Sequence, residues 1–177
     1  MPEPLNHIET IHALSIKKLE NPPFYTPCEK EIIAYSIAWE GSIQLEKEED
    51  KGYMANFRYK PRISLLNTEY DLLENFYKIV KLGKIGKEKP PTSERSKPSK
   101  TWQINTMQEC LFLSNEIHRF IPSKRKKRIA ELLIKFLVER IGQVREAIEQ
   151  KSRTVEPYTQ NAHDIYELIK KLNRKGR

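Results

Sequence analysis

At Gly41 the apolar residues switch from a helical period to a period of two, and few folds accommodate that switch. Upstream, Thr26-Pro27-Cys28-Glu29 is a strong helix start. Thr26 can cap, Pro27 suits the first helical position, and Glu29 completes a capping box. The body from Ile32 to Trp39 is almost wholly uncharged, so it should be buried on most sides. Downstream, Ile43 and Leu45 alternate with Gln44 and Glu46, which is the pattern of a half-buried strand. A helix therefore passes into a strand through a glycine, with Glu40 at the junction.

The alternation resumes at Phe57, Tyr59, Ile63 and Leu65, between Arg58, Lys60, Arg62 and Ser64. Gly52 and its acidic neighbours supply the turn, which predicts a hairpin with one apolar and one basic face. Pro61 places an edge or a bend in its second strand. Thr68-Glu69-Tyr70-Asp71 opens a helix striped by Leu72, Leu73, Phe76, Ile79 and Val80, ended by Gly83. Gly83 and Gly86 bracket a short strand through Ile85, residues 87–100 form a basic loop, and Trp102 and Ile104 mark a fourth strand. Thr106-Met107-Gln108-Glu109 is a second capping box, leading to a helix through about Arg119. After Pro122-Ser123 a long helix runs from Lys124 to near Gln150, and a last one spans about Ala162 to Asn173.

The order predicts an α+β fold: a four-stranded antiparallel sheet with helices on its apolar face and a polar, basic opposite face. Residues 1–25 read as an N-terminal extension containing a short helix, 26–150 as the domain, and 151–177 as a linker and C-terminal helix.

The 177 residues carry 32 Lys+Arg against 24 Asp+Glu, a net charge of +8. The surplus is clustered in Lys78 to Lys100, in the run Lys124-Arg125-Lys126-Lys127-Arg128, and in Arg58, Lys60 and Arg62. Such clusters fit a polyanion groove or a solvated surface. Two cysteines and four scattered histidines exclude a disulfide scaffold and a structural zinc module. No segment approaches the length of a membrane span, and the start lacks a secretory pattern, so a cytoplasmic protein is expected. There is no P-loop, GxGxxG, HExxH or GxSxG.

Two features pose electrostatic problems. Glu40 closes a helix whose C-terminus already carries partial negative charge, so a compensating cation is expected; a divalent ion with oxygen ligands is one candidate. Lys124 to Arg128 crowd the first turn of a helix, against its dipole, and a nearby phosphate would offset that cost. Arg58, Lys60, Arg62 and Ser64, with Thr101, Gln103 and Asn105, form a polar sheet surface able to reach base edges in a major groove.

Ile33-Ala34-Tyr35-Ser36-Ile37-Ala38-Trp39-Glu40-Gly41-Ser42-Ile43, with the order of elements, resembles the LAGLIDADG homing endonuclease family. In that motif a helix ends in an acid and glycine and runs into the first strand. The similarity extends from about Glu31 to Ile141. It includes Ile63 to Asn67, Leu82 to Gly86, and the basic segment leading into the helix through Phe136.

The resemblance implies an αββαββα fold and, with one motif per chain, a homodimer on a long, roughly palindromic double-stranded DNA site. It implies cleavage of both strands with Mg²⁺. By position, Glu40 matches the metal-binding acid, Gly41 contributes a carbonyl, and Asn67 matches a polar residue that orders water. Lys126 matches the active-site lysine when Ala130 anchors the register, with Lys124 the nearby alternative. The implied DNA contacts are Gln44, Arg58, Lys60, Arg62, Ser64, Lys84, Lys100, Gln103 and Lys124. The family has small residues where Tyr35 and Trp39 stand, whereas Ala34, Ser36 and Ala38 are small here. The helices would then meet on a rotated face or pair more loosely. Glu46 and Glu48 would point toward DNA unless the hairpin tip bends away. A catalytically silent relative, acting as a DNA-binding regulator or an intron-RNA splicing helper, is the competing expectation. A basic protein-interaction domain is the third.

Overall fold

The computed structural model describes residues 21–51, 56–91, 97–150 and 157–174. The expected helix within residues 1–20, the turn at Gly52, Arg95 and the linker over 151–156 lie outside them.

Helix α1 (Pro27–Trp39) leads into β1 (Gly41–Glu49), which pairs with β2 (Phe57–Asn67). Helix α2 (Tyr70–Val80), β3 (Lys84–Ile85) and β4 (Lys100–Ile104) follow. Helix α3 (Met107–Ile117), one 3-10 turn, α4 (Lys124–Glu149) and α5 (Gln160–Arg174) complete the chain. The sheet is antiparallel throughout, with strand order β1-β2-β4-β3. This is the expected α+β arrangement of four strands with helices on one face.

The period of two decides which face is covered. Ile43, Leu45, Tyr59, Ile63, Leu65, Trp102 and Ile104 are buried beneath the helices. Their helical partners include Ile33, Ile37, Leu73, Phe76, Leu133, Phe136 and Leu137. Each such side chain contributes about 1.5–3 kcal/mol on burial. Trp102 anchors the centre: its ring meets Phe76 edge-on at 4.9 Å, and its indole N–H donates to the Leu82 carbonyl at 2.9 Å.

Pro61 lies on β2 opposite Leu45, in the half of the strand that β4 does not reach. The Tyr59 N–H donates to the Tyr158 hydroxyl at 3.0 Å rather than to a strand. Two residues on, the missing N–H of Pro61 falls on that same unpaired side and costs the sheet nothing.

The capping boxes differ. Thr26 and Glu29 make the full reciprocal pair, at 2.8 and 3.3 Å. Thr106 accepts from the Glu109 N–H at 3.2 Å, while the Glu109 carboxylate also takes the Gly83 N–H at 3.4 Å. One boundary differs from expectation. Helix α2 begins at Tyr70, within the expected start, but it ends in a left-handed residue at Lys81 instead of at glycine. Gly83 is also left-handed, with φ of 76°, and a Cβ there would lie 2.5 Å from the Gln103 carbonyl oxygen.

Helix α5 belongs to the same core. Tyr158 just ahead of it and Ala162, Ile165 and Ile169 within it are buried. Asn173 donates to the Ile43 carbonyl of β1 at 3.1 Å, and the Tyr59 hydroxyl bonds His163 Nδ1 at 2.7 Å. Among the described residues no helix is long and apolar enough to cross a membrane.

Candidate functional site

Helix α1 ends at Trp39, and Glu40 is its C-cap, still helical at φ −106° and ψ −15°. The chain can turn into β1 within one residue because Gly41 has no side chain. A Cβ there would lie 2.7 Å from the Ile37 Cα and 3.0 Å from the Ser64 oxygen. The Glu40 side chain is exposed at this junction.

The compensating cation comes from the chain itself. Lys126, in the first turn of α4, directs its ammonium at the end of α1. It donates to the Gly41 carbonyl at 2.7 Å and to the Ile37 carbonyl at 3.0 Å. Burial holds its pKa below the usual lysine value; Arg125 pushes the same way, and Glu40 opposes. Arg125 does for α5 what Lys126 does for α1, donating to the Leu172 carbonyl at 3.2 Å. Arg128 pairs with Glu131 at 3.5 Å. The basic run thus satisfies the negative ends of two helices. That accounts for part of the conflict with its own helix dipole without a phosphate.

Sequence spacing did not reveal this arrangement, because the contacts span 85 and 47 residues.

Asn67 lies two residues past Leu65, the partner of Gly41. Its side-chain oxygen accepts from the Glu69 N–H at 2.9 Å, a local turn that leads into α2. Among the described residues no three His, Cys, Asp or Glu side chains cluster as a metal site.

The open sheet face corrects the expectation of a basic surface. The β1–β2 register sets Glu46 opposite Lys60 and Glu48 opposite Arg58. The resulting ion pairs are Arg62–Glu46 at 3.0 Å, Lys60–Glu48 at 3.1 Å, Arg58–Glu48 at 3.4 Å and Arg58–Asp50 at 3.6 Å. Lys60 and Arg58 hold the Glu48 carboxyl below its ordinary pKa, chiefly through the Lys60 hydrogen bond. The face is charge-balanced because the acids of β1 meet the cations of β2. Glu46 and Glu48 are on this face.

Next to it lies a cross-strand row: Ser42, Ser64, Gln103 and Lys84 are successive partners across four strands. Gln44 is opposite Arg62 and joins the same surface. Lys124 is exposed at the start of α4. Lys100 is not brought to this face. It shares the side of Trp102 and Ile104, with its ammonium 4.3 Å from the Tyr70 ring centre.

Helix α1 is less enclosed than its composition implies. Ile33, Ala34, Ile37 and Ala38 are buried, but Ile32, Tyr35 and Trp39 are 43, 50 and 74% exposed. These three form one outward stripe. The small residues Ala34 and Ala38 face the chain's own core, while Ser36 is half-buried.

With this junction and sheet, the chain has the fold of LAGLIDADG homing endonucleases, as its similarity to solved structures shows. Solved structures with this fold are similar to the chain at low sequence identity. The homing endonuclease I-CvuI, in complex with the I-CreI target in the presence of Mg and with the DNA not cleaved, is 12% identical, with a TM-score of 0.52 over 82% of this chain and 95% of that one. The archaeal intron-encoded homing endonuclease I-Vdi141I, complexed with DNA, is 15% identical, with a TM-score of 0.51 over 83% and 98%. I-SmaMI, bound to an uncleaved DNA target with calcium ions, is 18% identical, with a TM-score of 0.58 over 82% of this chain and 45% of that one. The chain thus spans about half of I-SmaMI. No protein-family model matches the sequence, and comparison with curated proteins gives no match.

Proposed function

We propose that the chain is a site-specific double-strand DNA endonuclease that hydrolyses phosphodiester bonds as a homodimer with a divalent cation, Mg²⁺ being the expected one. The observation that carries this reading is the junction of Glu40, Gly41 and Lys126 beside an open polar sheet face. The fold neighbours named above are DNA-bound endonucleases, two of them in the presence of Mg or Ca with the DNA uncleaved.

The oxygen donors suit a hard cation, which is often held by one or two carboxylates, water and substrate phosphate. Glu40 is the ligand the chain supplies unshared, since the Gly41 carbonyl already accepts from Lys126. A divalent ion held by Glu40 would supply activation of water and stabilisation of phosphate charge. Lys126, half-buried and fixed by two carbonyls, places a positive charge where the phosphodiester gains negative charge. Asn67 orders water, and Gln44, Ser64, Gln103 and Lys84 face the bases while Lys124 meets a phosphate.

The exposed Ile32, Tyr35 and Trp39 supply the surface for a second copy. A two-fold axis beside α1 would bring two Glu40 junctions together, one for each strand. The chain's span of about half of I-SmaMI fits one such unit per chain. An intron-encoded origin accompanies this reading, and the gene's surroundings test it.

The lysine on the Gly41 carbonyl and the local bond of Asn67 favour a second reading, a non-cleaving DNA- or RNA-binding relative. One experiment separates the two. The protein is incubated with DNA carrying its host gene's uninterrupted insertion site, with and without Mg²⁺. Metal-dependent double-strand cleavage that Glu40→Gln abolishes supports the nuclease. Tight, salt-dependent binding without cleavage under any divalent ion supports the silent relative.

A further inference from the structure

The open face of the β1–β2 hairpin carries three carboxylates interleaved with three cations. Resting on the DNA-binding reading above, we infer that this lattice reads G·C base pairs, with Glu46–Arg62 as the principal specificity-determining couple.

A surface built to follow phosphates would be cationic. Here Glu46, Glu48 and Asp50 offset Arg58, Lys60 and Arg62, and every one of those cations has a carboxylate within 3.6 Å. Carboxylates turned toward a phosphate chain are repelled by it. They fit the other partner a duplex offers, the base edges.

In the major groove the donors are the amino groups of cytosine and adenine, and guanine presents two acceptors that suit Arg or Lys. A G·C pair therefore offers the Arg its acceptors and the Glu its donor, side by side. An A·T pair gives the cation no such double acceptor, and it adds a methyl group that neither charge contacts favourably. The Arg62–Glu46 couple, paired at 3.0 Å, holds both groups ready on one face. Their side chains are 31 and 30% exposed, so both remain within reach of a ligand. Residues on one strand face recur about every 6.8 Å, roughly two base-pair steps. Arg58, Lys60 and Arg62 thus address separate positions. The pairs are partly exposed, so water already competes for both charges and eases the exchange of a carboxylate for a base edge.

The test selects duplexes from a randomised pool with the full chain, then measures affinity against salt concentration. Recovered sites should carry guanine opposite cytosine at the positions facing the hairpin. Arg62→Gln should move the preferred base at one position from guanine toward adenine, the partner of Gln, by about tenfold. Glu46→Gln should relax the choice at the same or the adjacent position. Both should keep the wild-type thermal midpoint and the slope of log affinity against log salt. Equal weakening on all sequences with a shallower salt slope would mean phosphate contact and overturn the inference. Duplexes retained without a G·C bias at these positions also overturn it, while DNA binding stands. If no duplex is retained even at low salt, the DNA-binding reading itself fails and takes this inference with it.

Discussion

The Lys126 ammonium lies 2.7 Å from the Gly41 carbonyl oxygen and 3.0 Å from that of Ile37, closing the C-terminal end of α1 with a side chain from α4. One contact thereby ties the motif helix, the first strand and the long helix together. It also neutralises the helix end at which Glu40 stands. Lys126→Met leaves two carbonyls without their charged donor, at a cost of about 1–3 kcal/mol in unfolding free energy. Burial lowers the Lys126 pKa, so folding disfavours its charged form. Its contribution to stability therefore rises as pH climbs through the lowered pKa toward the ordinary 10.5. Denaturant titration at several pH values should show that rise in the wild type and its absence in Lys126→Met. If the site is a nuclease, cleavage by the variant falls by about 10²–10³.

Glu40→Gln separates chemistry from structure. The side chain is exposed and closes a helix at its negative end, so removing its charge should move stability by no more than about 0.5 kcal/mol. Cleavage should vanish while DNA affinity is retained, as gel-shift and cleavage assays on one preparation would show. Full cleavage by the variant would remove Glu40 from the site.

Most of the fold was legible because its signals are local. Thr26 and Glu29, the switch of period at Gly41, and the alternation through β2 each act over a few residues. What was not legible depends on register and long-range contact. The acids of β1 neutralise the cations of β2 only because Glu48 falls opposite Arg58, and the alternation of a single strand cannot show that. The run Lys124 to Arg128 read as a conflict with its own helix dipole that a phosphate would offset, because the helix ends that Lys126 and Arg125 serve are far away in sequence. The uncharged body of α1 implied burial on most sides, yet apolar composition does not say whether the cover comes from the same chain. Tyr35 and Trp39 are exposed here.

That exposed stripe predicts concentration-dependent association. Trp39 is 74% exposed and Trp102 is fully buried, so a change in tryptophan environment on dimerisation should come from Trp39. Light scattering should give the mass of a dimer at micromolar concentration, with a blue shift in emission relative to dilute samples. Tyr35→Glu should shift the mass to that of a monomer, with the thermal midpoint of the dilute, dissociated wild type, since the residue lies outside the monomer's core. A wild type that stays monomeric at every concentration rejects the homodimer.

Alkaline pH should loosen the junction of β2 with α5. Burial raises the Tyr59 hydroxyl to about 12, with smaller pushes from Tyr166, Glu167 and Tyr158. The unfolded chain ionises near 10, so between about pH 10 and 12 it releases a proton that the folded state keeps. The stability contributed by Tyr59 is complete below pH 10 and falls across that interval. Tyr59→Phe removes the ionisation and should flatten the decline. Comparing urea midpoints of the two proteins from pH 9 to 12 isolates this effect from that of Lys126, which has the opposite sign.

Gly41→Ala tests the junction without touching any functional group. The new Cβ would sit 2.7 Å from the Ile37 Cα, 2.9 Å from its carbonyl oxygen and 3.0 Å from that of Ser64. All three are backbone atoms, so no rotamer change relieves the clash; either the end of α1 or the start of β1 must shift. A cost of about 1–3 kcal/mol is expected, from overpacking alone. The same shift carries the Gly41 carbonyl away from Lys126 and reorients Glu40. Cleavage should therefore drop well beyond what the loss of folded protein explains, whereas binding through the distant hairpin lattice should persist. A variant with wild-type stability and wild-type cleavage would show that the helix need not meet the strand this closely.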